Sequence, residues 1–383
     1  MSVTTPRGFR AAGATAGLKA SGRPDVALVV NDGPDHDAAA VFTSNRVAAA
    51  PVTWSRTVVA DGRVDAVVLN SGGANACTGA PGFQDTHRTA EHVGAALGIA
   101  PGDVVVCSTG LIGERLAMDL LLPGVDAAAA ALSVDGGPAA AEAIMTTDTV
   151  AKTATAERDG WSVGGMAKGA GMLAPALATM LVVVTTDAAV DGASLDDVLR
   201  AATAETFDRV DSDGCMSTND TVVLLASGAS GVAVGADELT DAVTRVCADL
   251  ARQLVADAEG AHHDIAVEVR SAASVDDALE VARSIARNNL VKCAVFGNDP
   301  NWGRVLAAVG TTSAAFDPAS LDVSMNGVQV CRAGGVGEDR SLVDLTAREV
   351  HVVVDLHAGE AAATVWTNDL THDYVHENSA YST

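Results

Sequence analysis

Short β-branched runs alternate with stretches whose apolar residues recur at helical spacing. Runs at 26–30, 66–69, 104–107, 181–185, 222–225, 265–269, 350–356 and 363–367 are short, rich in valine and bounded by turn residues, so each predicts a strand. Helical spacing predicts helices over 194–207, 238–255 and 274–289. In the second, Leu239, Val243, Val246, Leu250 and Leu254 share one face. The first and third open alike, with Ser194-Leu195-Asp196-Asp197 and Ser274-Val275-Asp276-Asp277. Each serine offers an N-cap oxygen, and each acid suits the positive end of the helix dipole. The pattern predicts a mixed α/β protein with no fixed-period repeat. A soft break is expected between residues 160 and 181, where glycines concentrate.

Composition adds constraints. The chain has 383 residues, which suggests two or three folding units or one large one. Hydrophobic residues make up 48% and aromatics only 3%, so valine, leucine and alanine must fill the core. The alanine run at 127–131 reads as helix, since alanine is the best helix former. The net charge of −25 and the absence of a basic stripe argue against nucleic acid and anionic membrane surfaces. No apolar run reaches membrane-spanning length, and residues 1–20 lack the apolar stretch of a secretory signal. Six scattered cysteines and nine histidines form no ligand-spaced cluster beyond His262 and His263. A metal site and a disulfide framework are therefore not expected, and a reducing cytoplasm is the simplest home.

Several segments carry candidate chemistry. The tract at 164–180 is rich in glycine and alanine, contains Pro175, and runs into Thr179, directly before an apolar strand. Cleavage of the Ala178–Thr179 bond would give Thr179 a free α-amine beside its own hydroxyl. With a reference pKa of about 7.7–8.0, that amine is a fitting general base. One residue would then supply nucleophile and base, and no histidine would be needed. On the residues alone, a threonine opening a strand is more often structural. Strand 104–107 runs into Ser108-Thr109-Gly110, where the Thr109 hydroxyl and Gly110 N–H are candidate oxyanion donors; taken alone, an ordinary strand-to-loop turn is the favoured reading. Thr146-Thr147-Asp148 reads as a helix end with capping groups. Glu259 follows a long helix, where an acid is ill placed beside the dipole's negative end. The turn Asn298-Asp299-Pro300-Asn301-Trp302-Gly303-Arg304 is a structural turn or a ligand loop, and the polar tail from Glu377 is expected to be disordered.

Taken together, these segments resemble the ornithine acetyltransferase (glutamate N-acetyltransferase) family from about residue 8 to the end. The resemblance also rests on Leu69-Asn70-Ser71-Gly72-Gly73-Ala74-Asn75-Ala76-Cys77-Thr78-Gly79 and Ser217-Thr218-Asn219-Asp220-Thr221. It implies two β-sheets between helical layers, of the self-processed N-terminal-nucleophile type. It implies cleavage at Ala178–Thr179 into an α chain, 1–178, and a β chain, 179–383, that associate as an α2β2 heterotetramer. Thr179 would be the nucleophile, Thr109 and Gly110 the oxyanion hole. Thr146, Lys168, Thr179, Glu259, Asn378 and Thr383 would bind substrate. The implied reaction moves acetyl from N2-acetylornithine to glutamate without a cofactor, with acetyl-CoA a possible second donor. A self-processed aminopeptidase or amidase, and a non-enzymatic small-molecule binding protein, are the competing readings.

Overall fold

The computed structural model describes residues 2–174 and 180–380. From the N-terminus the elements are β1 (Phe9–Ala14), β2 (Val26–Asn31), β3 (Asp37–Phe42), α1 (Ala50–Val58), β4 (Ala66–Asn70), α2 (Gly79–Leu97), β5 (Val104–Ser108), α3 (Met118–Ala130), α4 (Gly137–Ala143), β6 (Lys152–Glu157) and β7 (Ser162–Lys168). Then come β8 (Leu181–Thr186), α5 (Leu195–Glu205), β9 (Thr221–Ala226), α6 (Ala236–Ala256), β10 (Asp264–Ala272), α7 (Val275–Ala286), α8 (Asn289–Phe296), α9 (Trp302–Val309), β11 (Asp322–Met325), β12 (Val328–Arg332), β13 (Gly335–Val336), β14 (Glu349–Asp355), β15 (Ala361–Asn368) and α10 (His372–Ala380).

Strands β2, β4, β5, β8 and β9 are buried along their whole length. A strand that is apolar on both faces must be covered on both faces, which fixes the layering. One sheet runs β1-β2-β4-β5 and a second β3-β9-β8-β7-β6. They face each other through a shared core that includes Val29, Val67, Leu69 and Val105 from one and Met166, Leu181, Val183 and Val223 from the other. The far side of the first sheet packs on α2 and α3. The far side of the second packs on α5 and α6. Two sheets between helical layers are thus present. A third sheet, β13-β12-β11-β14-β10-β15, adds a further unit covered by α7, α8 and α9. Truncating one fully buried core residue such as Leu181 to alanine would cost about 2–5 kcal/mol.

All eight predicted strands are present. The soft break is corrected: β7 and β8 pair antiparallel inside one sheet, with Lys168 opposite Leu181. Glycines 164 and 165 serve close packing there, since a Cβ on Gly164 would meet the Ser2 carbonyl oxygen at 2.2 Å. The helix expected over 274–289 stops at Ala286, and Asn288 starts α8 by accepting from the Leu290 and Val291 amides. Ser274 caps α7 through the Asp277 amide at 3.1 Å. Ser194 does not cap α5; its hydroxyl donates to the Asp191 carbonyl, and Asp191 instead caps the short turn before the helix. The tail is helical to Ala380 because Thr371 caps α10, accepting from the Tyr374 amide while donating to the Gly260 carbonyl.

Candidate active site

Register brings the chemistry to one end of the facing sheets. Asn70 pairs with Ser108 at the end of β4–β5. In the second sheet Lys168 pairs with Leu181, and Leu181 with Thr221. Beyond these ends lies a cleft of about 390 Å³. It is lined by Thr109, Gly110, Thr146, Lys168, Glu259 and Asn378, all six of the predicted site residues that the structure describes. Ala178, Thr179 and Thr383 lie outside the described residues. A wider depression of about 920 Å³ runs along edge strand β3 and gathers none of the predicted residues.

The Thr109-Gly110 turn is built for its shape. Gly110 has φ +131°, and a Cβ there would meet the Gly73 nitrogen at 2.8 Å. Only glycine fits both the backbone angle and the approach. Gly73 in turn donates to the Thr109 carbonyl at 2.9 Å, which explains why the glycine-rich loop after β4 accompanies this turn. Among the described residues the Gly110 N–H has no hydrogen-bond acceptor. The Thr109 hydroxyl oxygen accepts from Lys168 Nζ at 3.1 Å. With that lone pair engaged, the Thr109 O–H and Gly110 N–H donate to no acceptor among the described residues and suit a developing oxyanion.

Lys168 is buried, and burial lowers its ammonium below the usual lysine range against the pull of Asp148. Asp148 anchors this corner. Its Oδ1 accepts from Lys152 Nζ at 2.7 Å and from the Gly169 amide at 2.6 Å, and its Oδ2 from the Thr146 amide at 2.9 Å. Burial alone would raise this carboxyl. Lys168, Lys152 and the Gly169 amide outweigh it and hold the group at about 2. Lys152 continues to Asp257, which also receives the Thr149 amide at 3.0 Å.

Glu259 lies past the end of α6 and turns into the cleft, so the helix dipole does not govern it. Its Oε2 accepts from Asn378 Nδ2 at 3.0 Å. A Cβ on Gly171 would sit 2.6 Å from the same oxygen, so Gly171 leaves room for the carboxylate. Gly260, with φ +60°, lets α10 approach; a Cβ there would strike the Tyr374 nitrogen at 2.2 Å.

Sequence reasoning missed three contributors. Asp213 accepts from the Met172 amide at 2.7 Å and the Cys215 amide at 3.0 Å. Burial raises its pKa, and it lines the cleft beside Tyr374. Asn219 and Asp220 sit in a motif that was singled out but given no role. The turn at 298–304 plays no part in the cleft: Asn301 caps α9 and Arg304 donates to the Leu290 carbonyl. Among the described residues, no group of three or more His, Cys, Asp or Glu could hold a metal ion, and no helix is long and apolar enough to cross a membrane.

A layered α/β protein whose cleft brings a hydroxyl and a backbone N–H beside a buried lysine and a carboxylate has an arrangement suited to acyl transfer. The chain belongs to the ArgJ family, whose model matches residues 10–383. It is 68% identical over 382 residues to the arginine biosynthesis bifunctional protein ArgJ of Streptomyces coelicolor, covering 100% of both chains. It is 65% identical to the protein of that name from Thermobifida fusca, again covering 100% of both. A crystal structure of ornithine acetyltransferase complexed with ornithine, from Mycobacterium tuberculosis, is 56% identical. That match covers 47% of this chain and 96% of the other, with a TM-score of 0.45.

Proposed function

We propose that the chain transfers the acetyl group of N2-acetylornithine to glutamate through an acetyl-Thr179 intermediate, after cutting itself between Ala178 and Thr179. The observation that carries this reading is the convergence of Thr109, Gly110, Thr146, Lys168, Glu259 and Asn378 on one cleft. They come from five separate stretches of chain, so sequence proximity does not account for their meeting. Met180, which follows the nucleophile in the chain, is buried, and its amide is held by Asp220 Oδ1 at 3.1 Å.

In this scheme the Thr179 hydroxyl oxygen attacks the acetamide carbonyl carbon. Its proton passes to the threonine's own α-amine. The oxyanion is held by the Thr109 O–H and Gly110 N–H. The C–N bond then breaks, the amine returns the proton to the departing nitrogen, and ornithine leaves. The amine of glutamate attacks the ester carbonyl and reverses the sequence, restoring the Thr179 hydroxyl. Glu259 faces the ornithine side-chain ammonium and Lys168 a substrate carboxylate, as charge-assisted hydrogen bonds require. Thr146, Asn378 and Thr383 complete the substrate contacts. The two products of cleavage, 1–178 and 179–383, stay together and pair as an α2β2 assembly in the cytoplasm. No cofactor takes part, and acetyl-CoA serves as a second acetyl donor.

Intact-mass spectrometry and acetyl-transfer assays test the proposal together. The purified wild-type chain is expected to give two fragments that break at 178/179 and to acetylate glutamate from N2-acetylornithine. Thr179→Ala is expected to stay whole and inactive. A wild-type preparation that transfers acetyl while remaining one uncut chain would overturn the self-cleavage. Loss of acetyl to water at the same rate with and without glutamate would favour the aminopeptidase or amidase reading.

A further inference from the structure

We propose that the adjacent residues Asn219 and Asp220 form a positioning clamp that sets the separation between the oxyanion turn and the start of β8. The inference rests on the function proposed above, because it assigns the clamp to the parts of that site. Two neighbouring side chains grip two different sheets. Asn219 Nδ2 donates to the Ser108 carbonyl at 2.8 Å and to the Ala74 carbonyl at 2.6 Å. Ser108 is the last residue of β5 and leads directly into Thr109 and Gly110. Asp220 Oδ1 accepts from the Met180 amide at 3.1 Å, and the Thr221 amide donates to the Met180 carbonyl at 3.1 Å. Met180 leads directly into β8.

The topology explains why these residues can reach both places. β9 runs parallel to β8 with Thr221 opposite Leu181, so the residues just before β9 lie beside those just before β8. The same end of the sheet faces the end of β5 across the shared core. Both side chains are buried, Asn219 at 5% exposure and Asp220 at 0%. Asn219 spends its whole amide group, since its Oδ1 also accepts from the Thr218 hydroxyl at 2.6 Å. The segment is itself pinned: Thr43 donates its hydroxyl to the Ser217 carbonyl, and Ala49 its amide to the Thr218 carbonyl.

Asp220 is a costly way to hold one amide. Its Oδ2 has no hydrogen-bond partner among the described residues. Burial pushes its carboxyl well above the usual carboxylate range, against the Met180 amide, the Lys168 charge and the nearby Ser217 and Thr43 hydroxyls. What the geometry requires of this side chain is one acceptor oxygen on the Met180 amide. An amide of the same shape would serve as well, whereas a methyl group would not. Displacement of reacting groups by about 1 Å costs on the order of 10²-fold in rate, so loss of the clamp falls on turnover rather than on binding.

The test compares Asp220→Ala, Asp220→Asn and Asn219→Ala with the wild-type full chain, measuring self-cleavage and, on the cut protein, kcat and donor KM. Asp220→Ala and Asn219→Ala are expected to lower kcat by about 10²-fold, with KM within roughly threefold, or to fold and remain uncut. Asp220→Asn is expected to cleave and to keep kcat within about tenfold of wild type, since its amide oxygen still accepts from Met180. Three results overturn the clamp: wild-type kcat in Asp220→Ala, equal impairment of Asp220→Asn and Asp220→Ala, or a KM that rises in step with the fall in kcat. Absence of cleavage and transfer in the wild type is a separate result, which removes the proposed function and this inference with it.

Discussion

Lys168 ends β7 and Thr109 directly follows β5 of the facing sheet, and the lysine ammonium donates to the threonine hydroxyl oxygen across 3.1 Å. The contact fixes which way the threonine can use its proton. One lone pair of Oγ1 is taken, so the O–H is left to point at a substrate oxygen. Thr109→Val keeps the shape and removes the donor. It is expected to lower kcat by about 10²–10³-fold with little change in donor KM, the pattern of an interaction made only in the transition state. Steady-state kinetics check this. A KM effect equal to the kcat effect would place Thr109 in ground-state binding instead.

Gly110→Ala makes the complementary test of the backbone donor. The new Cβ would lie 2.8 Å from the Gly73 nitrogen at a φ of +131°, so the turn must shift. Because the proposed mechanism places the Gly110 N–H on the oxyanion, the variant is expected to lose transfer activity while staying folded. Thermal melting alongside intact-mass analysis separates this from unfolding.

Gly171 and Glu259 make a second pair whose effects should match. Glu259→Gln removes the charge that the proposed mechanism sets against the ornithine ammonium. A hydrogen bond to a charged group contributes about 1.5–3 kcal/mol, so donor KM is expected to rise roughly 10- to 100-fold. Gly171→Ala leaves the carboxylate in the chain but drives it aside, because the added Cβ would stand 2.6 Å from Oε2. Its donor KM is expected to rise in the same direction. An unchanged KM in both variants would remove Glu259 from donor recognition.

Much of the framework was legible because buried strands leave a plain signature. β2, β4, β5, β8 and β9 are continuous apolar runs, and each was read within a residue or so of its bounds. Strands β3 (Asp37–Phe42), with three alanines, and β7 (Ser162–Lys168), with two glycines, were not read. Their residues have weak strand preference, and packing between layers decides their state. The helix expected over 274–289 overran α7 by three residues, and the short α8 that Asn288 caps was not read. At the site, six of the expected residues line one cleft, and their naming rested on family resemblance. The residues that hold them, Asp148, Asp213, Asn219 and Asp220, look in sequence like ordinary turn formers. Their roles come from partners more than twenty residues distant, such as Gly169 for Asp148, Met172 for Asp213 and Ser108 for Asn219. No local pattern encodes such pairings.

Asp148 links acid stability to the site. Its folded carboxyl titrates at about 2, below the ordinary 3.8, because Lys168, Lys152 and the Gly169 amide outweigh burial. The folded chain therefore holds fewer protons than the unfolded chain between those values. The resulting stabilisation is fully present above about pH 4 and is lost as pH falls through 2. Its size is about 2 kcal/mol at neutral pH. Asp148→Asn removes this term and leaves the Lys152 and Lys168 ammonium groups buried with one less partner, so the loss at neutral pH is expected to reach about 3–5 kcal/mol. Urea unfolding midpoints measured from pH 7 down to pH 2 are expected to fall less steeply in the variant than in the wild type below pH 4. The anchor also sets the Thr146 and Gly169 amides, so donor KM should rise in the same variant. Parallel acid limbs for the two proteins would show that the carboxyl is not held by these partners.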